Sequence, residues 1–110
     1  KAAYAAILEA VNKNKPIWLV YQLTNKSRRE IYFGATSQEF RDRLIEHASG
    51  STKTIKHWQF TGTNKDLIEA KVLLSGLIQE KASKLAHIFE KIMRMKLKGT
   101  DWKVHQTGGI

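Results

Sequence analysis

The chain has no cysteine among its 110 residues. Disulfide staples and thiolate metal sites are therefore excluded. It has a single proline, Pro16, which closes a basic linker and opens a strand. No apolar run approaches the roughly 20 residues needed to span a bilayer, and no signal peptide is read. There is no G-x-S-x-G and no P-loop, so neither a nucleophile elbow nor a phosphate-cradling glycine loop is present. His57, His87 and His105 do not fall at metal-ligand spacings and read as structural or solvated. No internal repeat or low-complexity segment is seen. Acidic residues are scarce: 10 Asp plus Glu stand against 19 Lys plus Arg, a net charge of +9. That balance favours a polyanionic partner, with nucleic acid ahead of acidic membrane.

What is present fits one small globular domain over 1–110, with 42% hydrophobic and 26% charged residues. Residues 1–15 read as an Ala-rich helix over 2–12 followed by the basic linker. Residues 17–24 (IWLVYQLT) are β-branched and aromatic, and 30–36 (EIYFGAT) form the second arm of a hairpin across the polar turn 25–29. Ser37 is the expected N-cap of a helix carrying FRDRLIEHA, stopped by Gly50. The alternation over 54–61 (TIKHWQFT) predicts a third strand. Thr63 or Asn64 would cap a helix running through DLIEAKVLLSGLIQ, bent at Gly76, and a last helix is predicted over 83–97. Residues 98–110 read as a loose tail. The order predicts an α+β fold with a small, mostly antiparallel sheet flanked by helices.

Four residues stand out by type and position. Tyr21 and Tyr32 lie at the polar edges of neighbouring apolar strands, and a phenol can hold or deprotonate a water. Arg43 and His47 are one helical turn apart, so they leave the helix on one face. The guanidinium offers a forked donor to phosphate oxygens, and the imidazole can relay a proton. Gly34 inside a strand marks either a bulge or a close backbone approach. A phosphodiesterase also has to neutralise its leaving oxygen, and a carboxylate holding one Mg²⁺ or Mn²⁺ would do so. Glu69 is the candidate ligand, with Asp66 the alternative. Arg41, Lys53, Lys56 and Lys71 are candidate contacts to the nucleic-acid backbone.

Taken together, LVY at 19–21, YFG at 32–34, R-x-x-x-H at 43–47 and EAKVL at 69–73 resemble the motifs of the GIY-YIG nuclease family. The resemblance covers about residues 16–75. It departs at Leu19, where the first motif has glycine, at Phe33, where the second usually has isoleucine, and in having no Asn beyond Asn64. It implies a three-stranded antiparallel sheet flanked by helices that cuts DNA, or less expectedly RNA, with one divalent metal. The resemblance makes Tyr21 the base, Tyr32 its partner, Arg43 the charge stabiliser, His47 a proton relay and Glu69 the metal ligand. A second alignment of the Glu segment puts Leu74 at the metal position. In that register the chain is a nucleic-acid-binding module without catalysis. A third reading is a nuclease toxin unit, acting inside cells, cut from a larger parent chain and held by a protein inhibitor. The opening Lys1, in place of Met, is in keeping with such a parent.

Overall fold

The computed structural model describes residues 16–106, so the helix expected over 2–12 lies outside the described residues. Strand β1 (Trp18–Asn25) and strand β2 (Glu30–Thr36) form the expected hairpin. Its turn is closed by Asn25, whose Oδ1 accepts the backbone N–H of Arg28 at 3.0 Å. Arg29 then takes a left-handed φ of 57°, reversing the chain. Helix α1 (Phe40–Ala48) follows; Glu39 occupies its N-cap position without a side-chain cap bond. Ser37 is therefore not the cap, since the helix begins at Phe40, two residues later than a cap at that position requires.

A 3₁₀ turn (Lys53–Ile55) leads to strand β3 (Ile68–Leu77), helix α2 (Gln79–Lys96) and strand β4 (Lys103–Gln106). The sheet order is β3-β1-β2-β4; β1 pairs antiparallel with both β2 and β3, and β4 pairs parallel with β2. The fold is α+β as the sequence predicts, but the sheet is mixed and has four strands rather than three.

Three expectations are overturned. The predicted strand over 54–61 is a 3₁₀ turn and irregular chain. Trp58 N–H bonds the Ile55 carbonyl at 3.0 Å, so these two buried residues sit three apart on one side of a helical turn. Their spacing is three, and the apparent alternation was incidental. The predicted helix through DLIEAKVLLSGLIQ is edge strand β3. Its Glu, Ala, Lys and Leu residues favour helix, but pairing with β1 from Asn25↔Ile68 to Trp18↔Leu77 overrides that preference. Gly76, at φ 73°, and Ser75 together lie opposite Leu19, a bulge rather than a helix bend. The tail, expected to be loose, contributes β4, whose Lys103 N–H bonds the Arg29 carbonyl at 3.0 Å. Helix α2 starts at Gln79, a turn earlier than predicted.

Both sheet faces are covered. Val20, Ala35, Ile31 and Phe33 face α2, packing on Ala82, Ala86 and Phe89. Tyr21, Leu23 and Tyr32 face the other way, onto Phe40 and Leu44 of α1 and onto Ile55 and Trp58. Side chains alternate between faces along each strand, so this division puts both tyrosines and α1 on one side.

Candidate active site

The site begins with a glycine. Tyr21 of β1 lies directly opposite Gly34 of β2. A Cβ at position 34 would stand 2.5 Å from both Cζ and the hydroxyl oxygen of Tyr21. The tyrosine ring therefore lies on the bare backbone of β2, and only glycine permits it. This is the close backbone approach; the bulge lies elsewhere, on the β1–β3 pairing. Gly34→Ala is expected to cost roughly 1–3 kcal/mol through overpacking. Thermal unfolding of the variant, with a melting temperature lowered by several degrees, checks this. The ring cannot simply swing aside, because its other faces are also occupied. Phe40 lies at 5.2 Å between ring centroids, His47 at 5.8 Å and Tyr32 at 6.2 Å.

Helix α1 turns Arg43 and His47 onto this cluster, as the i, i+4 spacing requires. The Tyr21 hydroxyl and His47 Nε2 are 2.6 Å apart. His47 Nδ1 lies 2.6 Å from Thr52 Oγ1, and the Tyr32 ring meets the imidazole edge-on at 5.2 Å. Arg43 donates from Nη1 to Glu46 Oε1 at 2.7 Å, while Gln38 Nε2 holds the other Glu46 oxygen at 3.1 Å. The guanidinium is thereby aimed rather than left to wander. The Tyr32 hydroxyl is buried with no hydrogen-bond partner. Its nearest polar neighbours are the Tyr21 hydroxyl and the Arg43 guanidinium.

The electrostatics follow from burial. Burial and then repulsion from Tyr32 lift the Tyr21 phenol well above its usual value, with Arg43 pulling the other way. Tyr32 is raised by burial too, again against Arg43. Burial opposes the Arg43 charge, but its bonds to Glu46 and Tyr21 outweigh that and raise it. Burial, then the nearby Arg43 charge, push His47 down to about 4, against a smaller pull from Glu46. At neutral pH the proton therefore stays on Tyr21, and His47 is an uncharged imidazole able to accept it.

The His47 shift fixes a pH dependence. Its folded pKa lies below the ordinary 6.5, so the folded state resists protonation. The stability is present in full above pH 6.5 and is lost as pH falls to about 4. The loss from this residue is on the order of 3 kcal/mol. Denaturant unfolding across that window checks it, and His47→Gln is expected to flatten the slope.

Glu69 does not join the cluster. It lies on β3 opposite Thr24, on the sheet face away from Tyr21, and its exposed carboxylate pairs with Lys26 at 3.0 Å. The setting assumed for it was a helix, and the strand reverses its direction. Asp66 is committed elsewhere, accepting from Arg28 at 2.7 Å and from Asn25 and the Gln59 backbone at 2.9 Å. Among the described residues no three His, Asp or Glu side chains converge in a metal-binding arrangement. The expected ligand and the tyrosine cluster do not fit one ion. Arg41, Lys53 and Lys56 are exposed on the α1 side of the sheet, whereas Lys71, opposite Gln22, belongs to the other face. His57 and His105 are structural: their Nε2 atoms hold the two oxygens of buried Glu30, each at 2.7 Å.

Sequence reasoning missed Thr52 and Glu46. Glu46 could have been found, since it lies three residues from Arg43 on one helix. Thr52 had no signal; only the fold brings it to His47.

A basic α+β domain that gathers two phenols, an imidazole and an anchored guanidinium on one sheet face has a nuclease-type scaffold. The family model of the GIY-YIG catalytic domain matches residues 17–73, slightly more than half of the chain. The chain belongs to the GIY-YIG family. No curated protein and no solved structure matches it. Members of this family are generally endonucleases dependent on a divalent metal, and their substrates are nucleic acids. The match ends at Leu73, within β3.

Proposed function

We propose that the chain is an endonuclease that hydrolyses nucleic-acid phosphodiesters with Tyr21, Tyr32, Arg43 and His47. The observation that carries this reading is the 2.6 Å contact between the Tyr21 hydroxyl and the neutral His47 imidazole, beside an anchored Arg43. Arg43 binds a non-bridging phosphate oxygen, and the unpartnered Tyr32 hydroxyl donates to the same group. A water attacks phosphorus and gives its proton to the Tyr21 oxygen as Tyr21 passes its own to His47 Nε2. The P–O bond to the leaving oxygen breaks, and that oxygen departs with the bonding pair and takes a proton from solvent. His47 becomes imidazolium, a state the bound phosphate charge favours. The low proton affinity of His47 lets it shed that proton readily for the next turnover.

Family membership supports a requirement for Mg²⁺ or Mn²⁺. Arg41, Lys53 and Lys56, exposed on the α1 side of the sheet, would hold the backbone of the same substrate. DNA is the expected substrate ahead of RNA.

The test is incubation of the chain with closed circular DNA and, separately, circular RNA, with each metal and with a chelator. Nicked or linear products are expected from at least one circle, only with metal. Circles bound but never cut would make the chain a binding module of this fold.

A further inference from the structure

A second concentration of positive charge lies beyond the matched segment. Between the C-terminal end of α2 and β4 is a cleft of about 510 Å³, lined by Arg94, Lys98, Thr100, Trp102, Lys103 and His105 among others. Lys98 and Lys103 are exposed and have no ion-pair partner among the described residues. The nearby acids are already neutralised. Asp101 gives both carboxylate oxygens to Arg29, at 2.8 and 2.9 Å, and Glu90 pairs with Arg94. Glu30 is buried behind His57 and His105. Two positive charges are left over a concave surface.

The cleft also holds an aromatic platform. Trp102 is half-buried, packed on one side against Ile31, Phe33 and Val104. The loop that carries it is braced: Thr100 Oγ1 donates to the Leu97 carbonyl at 2.6 Å and accepts from the Trp102 backbone at 3.3 Å. A rigid indole flanked by cations is the chemistry that holds single-stranded nucleic acid. The base stacks, and the phosphates meet the charges. An acidic peptide would use the lysines but not the ring.

His105 of β4 is in register with Tyr32 of β2, so the cleft lies along the edge strand next to the tyrosine cluster. Trp102 packs with Ile31 and Phe33 on the α2 face, so a strand stacked there reaches the tyrosine face around the β4 edge.

We infer that this cleft binds a single-stranded segment of nucleic acid, with a base on Trp102 and phosphates at Lys98 and Lys103. The inference rests on the nuclease reading for its substrate class, but binding can be measured without turnover. The experiment is fluorescence anisotropy of the full chain with a labelled single-stranded DNA, in chelator, across a salt series. Lys98→Glu with Lys103→Glu is expected to weaken binding at least about tenfold and to reduce the salt slope by about 1.4, for two phosphates. Trp102→Ala is expected to weaken it about tenfold, and Trp102→Phe to restore most of the loss. Two results would overturn the inference: affinity and slope unaltered in the lysine variant, or polyglutamate competing as well as the oligonucleotide. Failure of the wild type to cut circular substrates counts against the nuclease reading alone.

Discussion

Arg43→Ala is expected to lower the rate of phosphodiester cleavage on the order of a hundred-fold or more, the usual cost of removing a preorganised charge stabiliser. Arg43 is held in place before substrate arrives: Glu46 binds its Nη1 at 2.7 Å, and Gln38 fixes Glu46. It is also partly buried, with a side chain 20% exposed, so its charge is less screened than that of a surface arginine. The measurement is single-turnover cleavage, with thermal unfolding run alongside to show that the variant folds. Arg43→Lys keeps the charge but loses the fork, and should recover only part of the rate. Glu69→Gln belongs in the same series. An exposed pair with Lys26 on the opposite face contributes little, so this variant should cut within a few-fold of wild type.

Tyr21→Phe should be comparably damaging, on the order of a hundred-fold or more, because it removes one hydroxyl and almost no volume. The ring would still lie on Gly34 and pack against Phe40. What goes is the proton-bearing oxygen 2.6 Å from His47 Nε2. Some stability is lost as well, about 1–3 kcal/mol, because the buried imidazole nitrogen is left unsatisfied. Tyr32→Phe offers a contrast. Its hydroxyl is buried beside Tyr21 and Arg43 without a well-formed hydrogen bond, so its removal should cost less stability than Tyr21→Phe while slowing cleavage. Unfolding curves and single-turnover rates on both variants separate a hydroxyl kept for structure from one kept for substrate.

The parts of this site that are legible in the sequence are the local ones. The hairpin β1–β2 and helix α1 follow from β-branched runs and from R-x-x-x-H at a helical spacing, and Tyr21, Tyr32, Arg43 and His47 do meet. Gly34 was readable as a close approach, but the partner it accommodates was not. The failures occur where tertiary pairing overrides local preference. Residues 68–77 carry helix-forming side chains yet pair with β1, which turns Glu69 to the wrong face for the tyrosines. Ile55 and Trp58 are spaced three apart in a segment whose apolar residues seemed to alternate. Strand β4 exists because Lys103 finds the Arg29 carbonyl and Asp101 finds its side chain, contacts more than 70 residues apart that no local pattern announces. Thr52 reaches His47 for the same reason.

The central claim is that Tyr21 and His47 act as one proton-handling unit on a phosphodiester gripped by Arg43. Single-turnover cleavage by wild type, Tyr21→Phe, His47→Gln and the double variant tests it most directly. If the two form one relay, breaking it once is enough, and the double variant cuts within a few-fold of the slower single variant. If the two losses multiply, the residues act independently and the relay is contradicted.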